Sequence, residues 1–196
     1  YSGVHGAVDA TTKVRMSGAA QTAGEAAVYF GSAGATGVWA PENTRKAIFD
    51  GLASKETFGT SGPLIRLRFF GGRDYAKDLV KKDSFVENAY KHGVPMGRDL
   101  PKMAGKAKAP TFAVWALKDP DSGNLDRIQI IKGWYQNGYP QEKIYDIAWS
   151  DSRKPDAKTG KLPPVGNTVD IKNASYENSI GENELAAVWT DPHFDP

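Results

Sequence analysis

The sequence predicts an α+β fold whose second half is an antiparallel β-sheet or sandwich-like domain. Three observations predict it. Two helical patterns and one alternating strand fill the stretch between residues 41 and 92. From residue 110 onward apolar runs recur between clusters of turn formers, without intervening helical patterns, which argues for a sheet rather than βαβ units. Asn137-Gly138 stands between two such runs and marks a strand reversal.

Residues 1–40 are rich in Gly, Ala, Ser and Thr. They read as a loop that ends in a short buried strand near Gly37-Val38-Trp39-Ala40. A helix follows. Pro41 suits the first helical position, where its missing N–H is no loss. Glu42 then lies in the first turn, against the positive helix end. Ala47, Ile48, Leu52 and Phe49 form an apolar stripe at helical spacing, and the helix should stop by about Ser54, ahead of the Gly59–Pro63 break. In Leu64–Phe70, Ile65, Leu67 and Phe69 share one face and Arg66 and Arg68 the other, the period of a strand with one buried side. A second helix is predicted over 84–91, with Ser84 and Glu87 at capping-box spacing. Phe85, Val86, Ala89 and Tyr90 form its apolar face, and Gly93 terminates it. Residues 93–110, rich in proline, glycine and basic residues, read as a linker with a boundary inside it.

Thr111–Leu117 is apolar on both faces, as a strand buried on two sides requires. The turn formers of Asp119–Asn124 end it. Ile128, Ile130, Ile131 and Trp134 mark the next strand, Ile144–Trp149 its antiparallel return, and Glu184–Trp189 a further short strand. Residues 150–168 form a polar excursion with three prolines and two glycines. The chain starts at Tyr1 rather than Met and stops at Asp195-Pro196 straight after an apolar strand. The expectation is a C-terminal fragment of a larger soluble protein, without a complete catalytic constellation of its own.

Composition narrows the function classes. The 196 residues carry a net charge of +2 and no cysteine, which excludes disulfides, thiolate catalysis and cysteine-based zinc sites. Near charge balance gives no reason to expect nucleic acid or an anionic membrane as partner. No apolar run approaches the roughly 20 residues of a spanning helix. Cytoplasm and a periplasmic or secreted location both fit, as does an oligomer.

Three sets of residues are candidates for chemistry. His5 lies in a glycine-rich loop, Gly3-Val4-His5-Gly6, where its side chain could face a cavity; His92 and His193 have no ligand-like neighbour in sequence. Asp119, Asp121 and Asn124, with Asp126, place oxygen ligands at close spacing, as calcium loops do. They lack the order of an EF-hand loop, and the same residue types serve an ordinary β-turn. Arg45 sits where a helix start binds anions, and Arg66, Arg68 and Arg73 cluster on one strand and its exit. There is no P-loop, no Gly-x-Ser-x-Gly elbow and no His-Glu-x-x-His. Trp115, Trp134, Tyr135, Tyr139, Trp149 and Trp189 fit either a core, through their large apolar area, or a sugar-binding platform.

The run Trp39-Ala40-Pro41-Glu42-Asn43-Thr44-Arg45, with Arg66–Gly72, Gly93–Leu100, Trp115–Pro120, Asn124–Gln129, Gly166–Asp170 and Trp189–Pro192, resembles the bacterial domain of unknown function family numbered 3604 over nearly the whole chain. Members of that family look like relatives of the polymerase-and-histidinol-phosphatase (PHP) metal-dependent phosphoesterases. The resemblance implies that residues 1–75 are the tail of a distorted (β/α) barrel, 76–108 a helix and linker, and 109–196 an appended β-domain. It also implies a divalent metal in the full-length protein, held by His-x-His and Asp-x-His motifs upstream of this chain. No cofactor ligand then falls on the chain, and its partner is the N-terminal remainder of the same polypeptide. The function so implied is a metal-dependent phosphoesterase-like hydrolase. The alternative is a non-catalytic β-sandwich binding or structural module.

Overall fold

The computed structural model describes residues 34–102 and 108–195. A small antiparallel pair, β1 (Thr36–Val38) and β2 (Thr57–Gly59), flanks helix α1 (Arg45–Ala53). The helix starts later than Pro41. Thr44 is its N-cap, accepting a hydrogen bond at Oγ1 from the Ala47 N–H (3.2 Å), and a hydroxyl in that place is worth about 1 kcal/mol. Glu42 lies ahead of the helix and accepts from the Thr44 hydroxyl (3.0 Å). The expected stripe of Ile48, Phe49 and Leu52 is exposed, and the buried residues are Ala47 and Gly51. Backbone proximity explains the difference. A Cβ on Gly51 would lie 2.7 Å from Val38 Cγ1 and 2.9 Å from the Trp39 carbonyl, so the helix lays its smallest face against β1.

The central sheet has the order β10-β5-β3-β4 and is antiparallel throughout. It comprises β3 (Arg66–Gly72), β4 (Gly93–Pro95), β5 (Thr111–Leu117) and β10 (Glu184–Thr190). Strands from both sides of residues 76–108 therefore meet in one sheet. In register, Arg66 faces Leu117 and Leu117 faces Glu184. Helix α2 (Phe85–His92) and a 3-10 turn at Leu79–Lys81 cover one face, packing Leu79, Phe85 and Ala89 against Phe70, Tyr75 and Ala113. The long hairpin of β6 (Arg127–Gln136) and β7 (Tyr139–Trp149) covers the other. There Ile128, Ile130, Ile147 and Ala148 meet Val114, Ala116, Leu185, Ile65, Leu67 and Phe69.

The two-sided pattern of Thr111–Leu117 and the face of Ile65, Leu67 and Phe69 are as the sequence predicts. Phe70, on the Arg68 face, is 1% exposed and meets Phe85 and Tyr90 edge-on at 5.7 and 5.0 Å. At α2 the capping box does not form. Ser84 makes no side-chain cap, and Asn88 Nδ2 donates instead to the Ser84 carbonyl (2.9 Å) and hydroxyl (2.8 Å). Gly93 follows the helix in extended backbone. It is needed there because a Cβ would collide with the Tyr75 hydroxyl and the Gly71 carbonyl.

Asn137 and Gly138 both take positive φ (53° and 80°) and close the β6–β7 hairpin in two residues, as Asn-Gly favours. The polar excursion contributes a buried Leu162. Beyond it lies a two-residue ladder, β8 (Val169–Asp170) with β9 (Ser175–Tyr176), which no sequence signal announced. The fold is thus α+β and sheet-rich, and among the described residues no strands close into a barrel. No helix among them is long and apolar enough to cross a membrane.

Candidate functional site

A cleft of about 780 Å³ with convergent polar groups opens between α1, β3 and α2. Its floor is Trp39, which directly follows β1. The indole N–H donates to the Leu67 carbonyl (2.8 Å), which fixes the ring plane. Arg68, in the middle of β3, lays its guanidinium 3.5 Å from the Trp39 ring centroid, a cation–π contact worth ~0.5–2 kcal/mol depending on desolvation. Arg68 Nη1 also reaches the Tyr90 hydroxyl at 3.4 Å. Tyr90 comes from α2 and donates to Glu56 Oε2. Partial burial, then the bond to Glu56 and its charge, push the Tyr90 phenol above the ordinary tyrosine range, while Arg68 pulls the other way.

The charges around this cleft divide into committed and uncommitted groups. Lys46 pairs with Asp50 (2.6 Å), Glu42 takes the Thr44 hydroxyl, and Glu56 takes Tyr90. Arg68 and Arg98 also line the cleft, and neither pairs with a carboxylate among the described residues. A guanidinium resting over an aromatic ring can still offer N–H groups to an oxyanion. The arrangement can therefore orient a carboxylate, sulfate or phosphate group.

Of the arginines read from the sequence, only Arg68 reaches this cleft. Arg66 shares its face but stands exposed at the start of β3. Arg73 donates to the Lys108 carbonyl, and its Nε is buried without a partner. Arg45 is the first residue of α1 and exposed, while the cap position before it is filled by Thr44. His5 lies outside the described residues. Trp39 and Tyr90 read in the sequence only as apolar strand and helix residues, and Glu56 and Arg98 carried no signal.

The turn of Asp119, Asp121 and Asn124 is a brace. Asp119 accepts from the Leu64 N–H (2.7 Å) and the Asp121 N–H (3.0 Å), and these bonds hold its carboxyl below the usual range. The Asp121 carbonyl accepts from the Tyr176 hydroxyl (3.3 Å). Asn124 Nδ2 donates to the carbonyls of Asn178 (3.2 Å) and Ile180 (2.9 Å). Asn124 Oδ1 is buried without a partner, while the Asp119 carboxylate beside it is already taken by two backbone N–H groups. Among the described residues no three His, Asp or Glu side chains gather as a metal site.

A second polar knot went unread. Arg153 donates from Nη2 to the Asp126 carbonyl (2.7 Å) and the Ser150 hydroxyl (3.0 Å), and from Nε to the Ser150 carbonyl (3.1 Å). Its Nη1 stands 2.6 Å from Asp126 Oδ1, off the hydrogen-bonding direction, so that contact is electrostatic. The knot pins the polar excursion to the hairpin base.

The aromatic residues split. Trp189 stacks on Phe112 (6.0 Å) and lies 4.9 Å from Tyr145, Trp149 donates to the Arg153 carbonyl (2.8 Å), and Trp115 packs on the helix-side core. Trp134, Tyr135 and Tyr139 are exposed at the hairpin end. Trp134 pairs with Gln141 and Tyr139 with Gln136, so those two rings share a face, whereas Tyr135 lies on the other.

No curated protein and no solved structure matches this chain. A family model matches it over residues 1–196. By that match the chain belongs to DUF3604, a family described as proteins of unknown function.

Proposed function

We propose that the chain is part of a hydrolase acting on phosphoester-like bonds, in which the Trp39–Arg68 cleft receives the anionic part of the substrate. The observation that carries this reading is the Arg68 guanidinium, held 3.5 Å from the Trp39 ring centroid with no carboxylate partner among the described residues. The resemblance to PHP-type phosphoesterases supplies the reaction class. Among the described residues no side chains gather as a metal site, and it is the resemblance that puts the metal ligands upstream of this chain.

The test uses the intact protein. Bound metal and hydrolysis of p-nitrophenyl phosphate are measured with and without chelator, for the native protein and Arg68→Gln. A charged hydrogen bond to the bound substrate is worth ~1.5–3 kcal/mol, so KM should rise about 10- to 150-fold with kcat little changed. An intact protein with neither bound metal nor metal-dependent hydrolysis sinks the reaction class. Hydrolysis with an unchanged KM in Arg68→Gln removes the cleft from it.

A further inference from the structure

A second cleft, about 510 Å³, opens beside the free end of the β6–β7 hairpin, away from Trp39 and Arg68. Lys132, Trp134, Lys143, Tyr145, His193 and Asp195 are among the residues that line it. Its base is rigid. Asp191, 6% exposed, accepts from Lys132 Nζ (2.6 Å) and from the His193 backbone N–H (2.9 Å). Lys132 Nζ also donates to the His193 carbonyl (2.7 Å). Lys132 is thereby compensated and serves to hold the segment that carries His193.

The hydrogen-bond directions at His193 follow from its neighbours. Lys143 Nζ lies 3.3 Å from Nε2 and the Tyr145 oxygen 3.1 Å from Nδ1. An ammonium only donates, so Nε2 accepts, and the neutral ring carries its proton on Nδ1 and donates to the Tyr145 oxygen. The Tyr145 O–H is then left over as a donor, as are two N–H groups of Lys143. Lys143 has no carboxylate partner among the described residues; its other neighbour is the Tyr145 ring, 5.2 Å away. Beside these donors stands Trp134, 36% exposed, with Lys132 Nζ 5.6 Å from the ring centroid. Asp195 and Gln136 line the same cleft as acceptors.

A flat apolar ring, a cluster of donors around one uncompensated cation, and separate acceptors together match one ligand class. The geometry points to this cleft as a binding site for an acidic saccharide. A sugar ring lies on Trp134, its carboxylate or sulfate meets Lys143 and the Tyr145 hydroxyl, and its hydroxyls donate to Asp195 and Gln136. This assignment is independent of the hydrolase reading, because it uses none of the residues of the Trp39–Arg68 cleft.

The test is calorimetric titration of the intact protein with digalacturonic acid, a sulfated disaccharide and cellobiose. Lys143 and Trp134 are exposed, so Lys143→Gln and Trp134→Ala should keep the native melting temperature, and melting is followed as a check on folding. Saturable binding is expected for at least one acidic disaccharide, at least tenfold tighter than for cellobiose. Lys143→Gln should erase that preference, and Trp134→Ala should weaken binding of both kinds at least tenfold. Digalacturonic acid and the sulfated disaccharide separate a carboxylate from a sulfate ester as the recognised group. Failure of both acidic sugars to bind, or binding unchanged in Lys143→Gln, overturns the assignment. Should either variant lose its fold, Tyr145→Phe takes its place, with a weakened acidic preference expected and an unchanged one counting against the site.

Discussion

At its base the β6–β7 hairpin buries Ile128, Ile130, Ile147 and Ala148 against the central sheet, whereas at its tip Trp134, Tyr135 and Tyr139 stand in solvent. Large apolar or aromatic side chains occur at both ends. Length separates them. The strands of β5 and β10 have 7 residues each, those of the hairpin 10 and 11. At about 3.3 Å per residue the hairpin overhangs the sheet by roughly 10 Å. Apolar residues that face the sheet become core, whereas outward-facing ones such as Ile131 and Ile144, and those past the sheet edge, stay at the surface. The same overhang carries Lys132 and Lys143 to the segment that holds His193, so the tip is free to bind while the base holds the fold.

The largest expected effect lies on the sheet. At the hairpin base, Ile128→Ala, at a residue 7% exposed, should lower unfolding free energy by about 2–5 kcal/mol, seen as a lower denaturant midpoint. Tyr135→Ala, with 79% of its surface exposed, should stay within about 0.5 kcal/mol of the native protein. Equal costs at the two positions would break the distinction between base and tip.

A pH effect sharpens it. Burial pushes the Tyr75 phenol up to about 12 from an ordinary 10.0, and its hydroxyl donates to the Ala89 carbonyl (2.7 Å). A folded value above the unfolded one means that the stabilisation is fully present below pH 10. It is lost as pH rises from 10 toward 12, by on the order of 2 kcal/mol. Urea unfolding between pH 9 and 11.5 should show that slope in the native protein and a smaller one in Tyr75→Phe.

Much of the sheet was legible because its signals are local. Asn137-Gly138 dictated the reversal, Thr111–Leu117 its two buried faces, and Ile65, Leu67 and Phe69 their shared side. The failures came from long-range neighbours. The stripe of Ile48, Phe49 and Leu52 has helical spacing, yet α1 turns Ala47 and Gly51 inward because only small residues allow β1 so close. Arg66 and Arg68 look equivalent on their strand, and only Arg68 finds Trp39 and Tyr90, supplied by segments 29 and 22 residues away. His193 had no partner in sequence, since Lys143 and Tyr145 lie 50 and 48 residues before it. Asp119 and Asn124 offered metal-ligand chemistry by residue type, but nearby backbone groups claim most of their hydrogen-bonding atoms.

The most direct measurement of the central functional claim follows the Trp39 indole N–H in a 15N-resolved NMR titration of the intact protein with phenyl phosphate. Arg68 covers that ring, so a bound anion must change its environment. A saturable shift of the Trp39 signal is expected, lost in Arg68→Gln and retained in Arg66→Gln. A Trp39 signal that does not move, or that moves equally in both variants, would contradict the assignment of this cleft to the anionic part of a substrate.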